Sequence, residues 1–205
     1  MSDALRLVVY DATQRARAPR ALGASWHYGT QLYRGLGRVD AGYGATSFAD
    51  AFAWLGSFAP ERQIRELQFW GHGKWGQLFI ASESLGRSVL EPAHRHHGGF
   101  ERLRARLTPE ALLWFRTCET LGALAGHDFA SALGEATGAR VAGHTFVIGF
   151  FQSGLHCLRP GMPAHWSPTE GLERGSAEAP ERARPSGPSE PNTITCLHGQ
   201  IPAGF

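Results

Sequence analysis

Apolar residues in this chain come in two kinds of pattern, short unbroken runs and longer stretches at helical spacing. Leu5 to Tyr10, LRLVVY, is a β-branched run closed by Asp11 and reads as a buried strand. From Asp11 to about Thr46 the chain is polar and rich in arginine and glycine, and its pattern fits loops or a short helix equally. Ser47 then opens SFADAFAWLGSF, where Phe48, Ala51, Phe52 and Leu55 recur at helical spacing. Ser47 with Asp50 resembles a capping box, so a helix is predicted to start there. Glu66 to Trp70 is the next strand, and it stops at Gly71, with His72 between two glycines.

The alternation continues. GQLFIASESLG predicts a hairpin or return strand, and GGFERLRARL a helix with Phe100, Leu103 and Leu107 inward and arginines outward. Thr108 and Pro109 break that helix, and Ala111 to Cys118, ALLWFRTC, is the next buried strand. GHDFASALGEATG is a helix with Phe129, Ala132, Leu133 and Ala136 on one face and Gly138 as its C-cap. ARVAGHTFVIGF supplies one or two more strands. Strand, crossover and strand in repeated order predict an α/β domain over residues 1–166, with a mostly parallel central sheet and helices on both faces. Residues 167–192 lose apolar periodicity and read as a flexible loop or linker rich in Pro, Ser, Gly, Arg and Glu. Residues 193–205 turn apolar again and are expected as an edge strand of the same domain; no internal repeat is visible.

Composition narrows the class. The chain has 205 residues, 42% hydrophobic and 19% charged, as an ordinary globular protein does. Its formal net charge of +2 gives no electrostatic reason to expect nucleic acid as a partner. The first twenty residues lack the basic and apolar regions of a secretory leader, and no apolar run approaches a membrane span. Three widely spaced cysteines, Cys118, Cys157 and Cys196, do not suggest a disulfide framework. A cytoplasmic protein without membrane contact is therefore expected.

Two residues carry the candidate chemistry. Ligands of open α/β sheets bind beyond the carboxyl ends of the strands, where His72 and Cys118 are both expected. A nearby imidazole can take a thiol proton or stabilise the thiolate, and the N–H groups of Gly73 and Cys118 would then point at a developing oxyanion. FWGHG followed by LLWFRTCETLG resembles the His-Gly and strand-end Cys blocks of the caspase-like (clan CD) cysteine peptidases, including CHAT-type domains. CETLGALAGHDFASALGEATGARVAGHT is also similar to an uncharacterised bacterial caspase-like domain, with the likeness running from about Gly71 to Gly143. The resemblance implies a caspase-like fold and a peptide or protein substrate. It also implies Cys118 as nucleophile, His72 as general base or imidazolium partner, and Gly73 in oxyanion binding, with no metal and no cofactor. Glu119 departs from the family pattern, and no specificity pocket is marked. Some domains of this fold have lost activity, so a non-catalytic binding or signalling module is the alternative.

Other residues are weaker candidates. Trp70 and Trp75 flank the histidine and read as an apolar subsite or as packing; Glu119 adjoins the cysteine. His144, Gln152 and His156 read as a substrate-facing wall or as an ordinary strand end. LHC at Leu155 to Cys157 and CLH at Cys196 to His198 hold a zinc-type ligand set, but at poor spacing. HRHHGG reads as a solvated loop. Arg174, Arg182 and Arg184 in the linker raise self-cleavage as a further expectation, because related enzymes are often processed in linkers.

Overall fold

The fold is a computed structural model that describes residues 4–13 and 22–204. Part of the N-terminal stretch read for a leader, and residues 14–21 of the arginine-rich region, lie outside the described residues. Strand β1 (Leu5–Asp11) is followed by helix α1 (Leu22–Gly35) and β2 (Ala41–Ala45), then α2 (Phe48–Ser57) and β3 (Ile64–Trp70). Between β3 and β7 (Leu107–Arg116) lie a small antiparallel sheet and α3 (His97–Arg104). That small sheet is β4 (His72–Lys74), β5 (Gln77–Ile80) and β6 (Glu83–Leu85). Helix α4 (Ala123–Thr137), β8 (Arg140–His144), β9 (Phe151–Gln152) and β10 (Leu155–Leu158) follow. The last elements are β11 (Leu172–Gly175), β12 (Pro180–Ala183) and β13 (Ile194–Thr195).

The central sheet has six strands in the order β10-β8-β7-β3-β1-β2. β10 is antiparallel at one edge, and the other five strands are parallel. The chain is thus α/β with a mostly parallel sheet. Alternate side chains of the strands face opposite layers. Leu7, Val9, Leu67, Phe69, Leu113 and Phe115 pack beneath α2, α3 and α4 in the main core. On the other face, Val8, Tyr10 and Trp70 meet Tyr33 of α1. Leu112, Trp114 and Ala142 are covered there by Leu155, Ile194 and Ile201. Helices do lie on both faces, but the second is closed largely by the C-terminal chain.

Local signals explain most element ends. Ser47 Oγ accepts from the Asp50 N–H at 3.1 Å, and Gly138 takes the left-handed C-cap at φ 67°. The Asp50 carboxylate does not close the box on Ser47; it accepts from the Thr46 N–H and the Tyr43 hydroxyl. Thr108 and Pro109 do not end a helix as expected. α3 stops at Arg104, and Leu107 is the buried first residue of β7. The partner of β3 jumps from Leu107 to Leu112, with Glu110 at φ 58°, so these residues form a bulge that tolerates proline.

Residues 167–192, expected as a flexible loop or linker, contain the β11–β12 hairpin. Main-chain bonds tie the same stretch to the domain, from the Val147 N–H to Arg184, the Gly154 N–H to Pro191 and the Leu155 N–H to Asn192. β13 pairs with β9 rather than with an edge of the central sheet.

Candidate functional site

The parallel register of β3 and β7 ends on the pair Trp70 and Arg116. His72 and Cys118 each lie two residues past that last rung, so they leave the sheet side by side at its carboxyl edge. His72 opens β4, and Cys118 starts a tight turn in which Glu119 has φ 31°. A positive φ at a residue with a side chain is strained, and here the surroundings hold it. The Glu119 N–H donates to Phe146 O, and the Leu121 N–H to His144 O. The β4–β5 turn docks on the same segment, with the Trp75 N–H on Glu119 O and the Gly76 N–H on Thr120 O.

Glycine at position 73 is a packing requirement. A Cβ there would meet Thr120 Oγ1 at 2.0 Å and Thr117 Oγ1 at 2.7 Å. Thr120 donates to Cys118 O, which leaves the Thr117 hydroxyl to donate to Thr120 at 2.6 Å. The strand carrying His72 therefore lies directly on the turn carrying Cys118. Lys74 and Gln77 flank a two-residue loop and exchange both hydrogen bonds, so the Gly73 N–H points away from β5. Among the described residues, no backbone carbonyl accepts from the Cys118 N–H, which faces its own sulfur.

His72, Cys118, Trp70 and Arg116 line one cavity of about 420 Å³. Trp26 and Tyr33 of α1, the 148–150 loop, and Cys196 and Leu197 of the C-terminal segment complete its wall. The rings of Trp26 and His72 meet edge to face at 5.6 Å. Burial pushes the Cys118 thiol up to about 11, a shift that the neighbouring Glu119 carboxylate reinforces. Its sulfur sits 3.9 Å from Ile148 O. In this state Cys118 is a thiol, not a thiolate.

The other sequence candidates separate. Trp70 and Gln152 line the cavity. Trp75 does not; it packs beside Gly122 with the Lys74 ammonium 4.5 Å from its ring. Glu119 is buried on the far side of the turn, where desolvation raises its carboxyl to about 7 against the pull of Lys74. His144 is fully buried, donates from Nδ1 to Ser153 O, and is held at about 3 by burial and by nearby Arg116. His156 stacks on Trp166 and donates to Glu170. The 94–97 histidines, read as a solvated loop, include a buried His96 packed on Phe48 and Phe52. Among the described residues, no three His, Cys, Asp or Glu side chains gather closely enough to hold a metal ion. No described helix is long and apolar enough to cross a membrane.

Arg116 is the residue that sequence reasoning passed over. Its Nε and Nη2 donate to Gln152 Oε1, its Nη1 to the Tyr33 hydroxyl and His198 O, and its Nη2 also to Cys196 O and Thr195 O. The rings of Trp114, Trp70 and Tyr33 lie 4.6, 5.5 and 5.6 Å from its guanidinium carbon. A charged residue inside the apolar run ALLWFRTC was the available signal.

A family model described as Domain of unknown function (DUF4347) matches residues 44–155, more than half of the chain, and the chain belongs to that family. The match takes in β3, β7, His72 and Cys118 but not α1 or the C-terminal wall of the cavity. No curated protein and no solved structure matches the chain.

Proposed function

We propose that this member of the DUF4347 family is a caspase-like cysteine peptidase acting through Cys118 and His72. The observation that supports it most is the Trp70–Arg116 register, which brings both side chains to the wall of one cavity at the carboxyl edge of a parallel sheet. Because Cys118 rests as a thiol, activation is by general base. His72 takes the S–H proton as sulfur attacks the scissile carbonyl carbon. The N–H groups of Gly73 and Cys118 stabilise the oxyanion. His72 then gives the proton to the leaving amine, and a thioester remains on Cys118. Water deprotonated by His72 attacks the thioester, releasing the acid and restoring the thiol. A peptide library hydrolysed by the full chain, with Cys118→Ala and His72→Ala as controls, tests the reading. Each variant is expected to lose at least roughly 100-fold in rate; hydrolysis that survives in either one rules the dyad out.

One observation favours a second reading, a non-catalytic binding module of the same fold. The buried thiol near 11 is the state of an inert cysteine as well as of a resting one. A wild-type chain that binds peptides in the cavity yet cleaves none would establish that reading.

A further inference from the structure

The cavity beside Cys118 is apolar in spite of the arginine in its wall. Trp26, Leu32, Trp70, Ile148, Phe150 and Leu197 supply most of its lining, and among the described residues no Asp, Glu or Lys contributes. Among the described residues, Arg116 is its one full charge. A guanidinium has five N–H donors, and protein acceptors take all five: Gln152 twice, Tyr33, His198, and the Thr195–Cys196 carbonyls. Three aromatic rings surround the group. An incoming carboxylate would find no free guanidinium donor unless it broke the bonds that hold the C-terminal segment. A Lys or Arg side chain would meet the positive charge of Arg116 in a poorly solvated space, and Glu66, the carboxylate that acts on Arg116, does not line the cavity to answer a second cation.

An apolar side chain meets neither obstacle. Leu32, Phe150 and Leu197 are 47%, 58% and 50% exposed at the mouth, so apolar surface is open to water where a ligand would enter. A volume of about 420 Å³ lies in the usual range for ligand pockets.

We infer that this cavity is the side-chain subsite of the Cys118–His72 centre and takes an aromatic or large aliphatic residue of a peptide, in preference to an acidic or basic one. The inference rests on the peptidase reading for its role and on the cavity for its selectivity, and the two are tested apart. The unreactive Cys118→Ala chain is titrated with N-acetyl-Ala-Ala-X-amide, X being Phe, Leu, Ala, Asp or Arg, and indole fluorescence from Trp26 and Trp70 reports binding. Phe and Leu are expected to bind roughly 10- to 100-fold more tightly than Ala, with Asp and Arg no tighter than Ala. Leu197→Glu should cut the Phe preference at least threefold and improve the Arg peptide. Tightest binding by Asp or Arg, or no difference across the series, overturns the inference. Wild-type Cys118 is then treated with the matching peptidyl chloromethyl ketones. If Phe binds best yet no ketone alkylates Cys118 faster than chloroacetamide does, the peptidase reading fails and the apolar subsite remains as a binding site.

Discussion

Trp70 and Arg116 are the last paired residues of β3 and β7, and that pairing sets the geometry of the candidate site. Two residues further on, His72 and Cys118 reach one cavity, and Gly73 lies against the hydroxyls of Thr117 and Thr120. The indole of Trp70 and the guanidinium of Arg116 also face each other at 5.5 Å, so the ladder that aligns the site supplies part of its wall.

Gly73→Ala tests that close approach. The added methyl overlaps Thr120 Oγ1 and Thr117, so β4 must move away from the cysteine turn. Overpacking of this kind costs about 1–3 kcal/mol, read as a lower midpoint in urea. Gly73→Ala with Thr120→Ala should recover part of the loss, because the nearest overlapping atom is gone.

Glu119→Gln should make Cys118 more acidic. Glu119 is ionised where the thiol titrates, and its negative charge opposes the thiolate. The pH profile of thiolate absorbance should shift to lower pH in the variant. Stability should change as well. The folded carboxyl at about 7 lies above its unfolded value of 4.5, so wild-type stability falls as pH rises through that window. The loss is on the order of 3 kcal/mol above pH 8, and Glu119→Gln should abolish it while matching the wild type near pH 4.

His144 acts in the opposite direction. Its folded value of about 3 lies below the ordinary 6.5, so the unfolded chain binds the extra proton and stability falls as pH drops below 6.5. The effect at pH 5 is about 2 kcal/mol. Unfolding in urea at pH 5 and pH 7 should show that difference in the wild type and lose it in His144→Gln, once Glu119→Gln is present in both chains.

Arg116 and Tyr33 hold the C-terminal segment over the cavity. Tyr33→Phe removes a hydroxyl that accepts from Arg116 and faces the carbonyls of Cys196 and His198. The Cys196 N–H, bonded to Phe150 O, should exchange at least about tenfold faster, in line with a loss of 1–3 kcal/mol in local stability. Amides of β1 and β3 should not change. Equal exchange at Cys196 would show that the segment is held by Ile194 and Ile201 instead.

Self-cleavage in residues 167–192 is not expected from the fold. Arg174 pairs with Glu181 and Arg182 with Glu173 across the β11–β12 hairpin, and Arg184 is bonded to Gly171 and Val147. A peptidase needs an extended strand free of other partners. Prolonged incubation of the wild-type chain should leave it intact at these arginines, as shown by intact mass.

The sequence by itself determined the elements whose signals are local. Apolar runs marked β1, β3 and β7, helical spacing marked α2 and α4, and Ser47 and Gly138 marked their ends. It also placed His72 and Cys118 at strand ends, since a strand end is visible where an apolar run stops. Helix α1 is not marked in the sequence because its apolar pattern is weak, and it leaves Tyr28 and Leu32 exposed. The hairpin at 172–183 was missed because pairing, not composition, holds it. Trp75, Glu119 and His144 are near His72 and Cys118 in sequence or pattern, yet the fold turns them to other surroundings. Only the tertiary structure decided what stands around the two residues. Arg116 meets carbonyls about eighty positions away, at Thr195, Cys196 and His198. Hydrophobic periodicity records which face a residue takes; it holds no record of which distant backbone groups converge on that face. That convergence commits the arginine and leaves the cavity apolar.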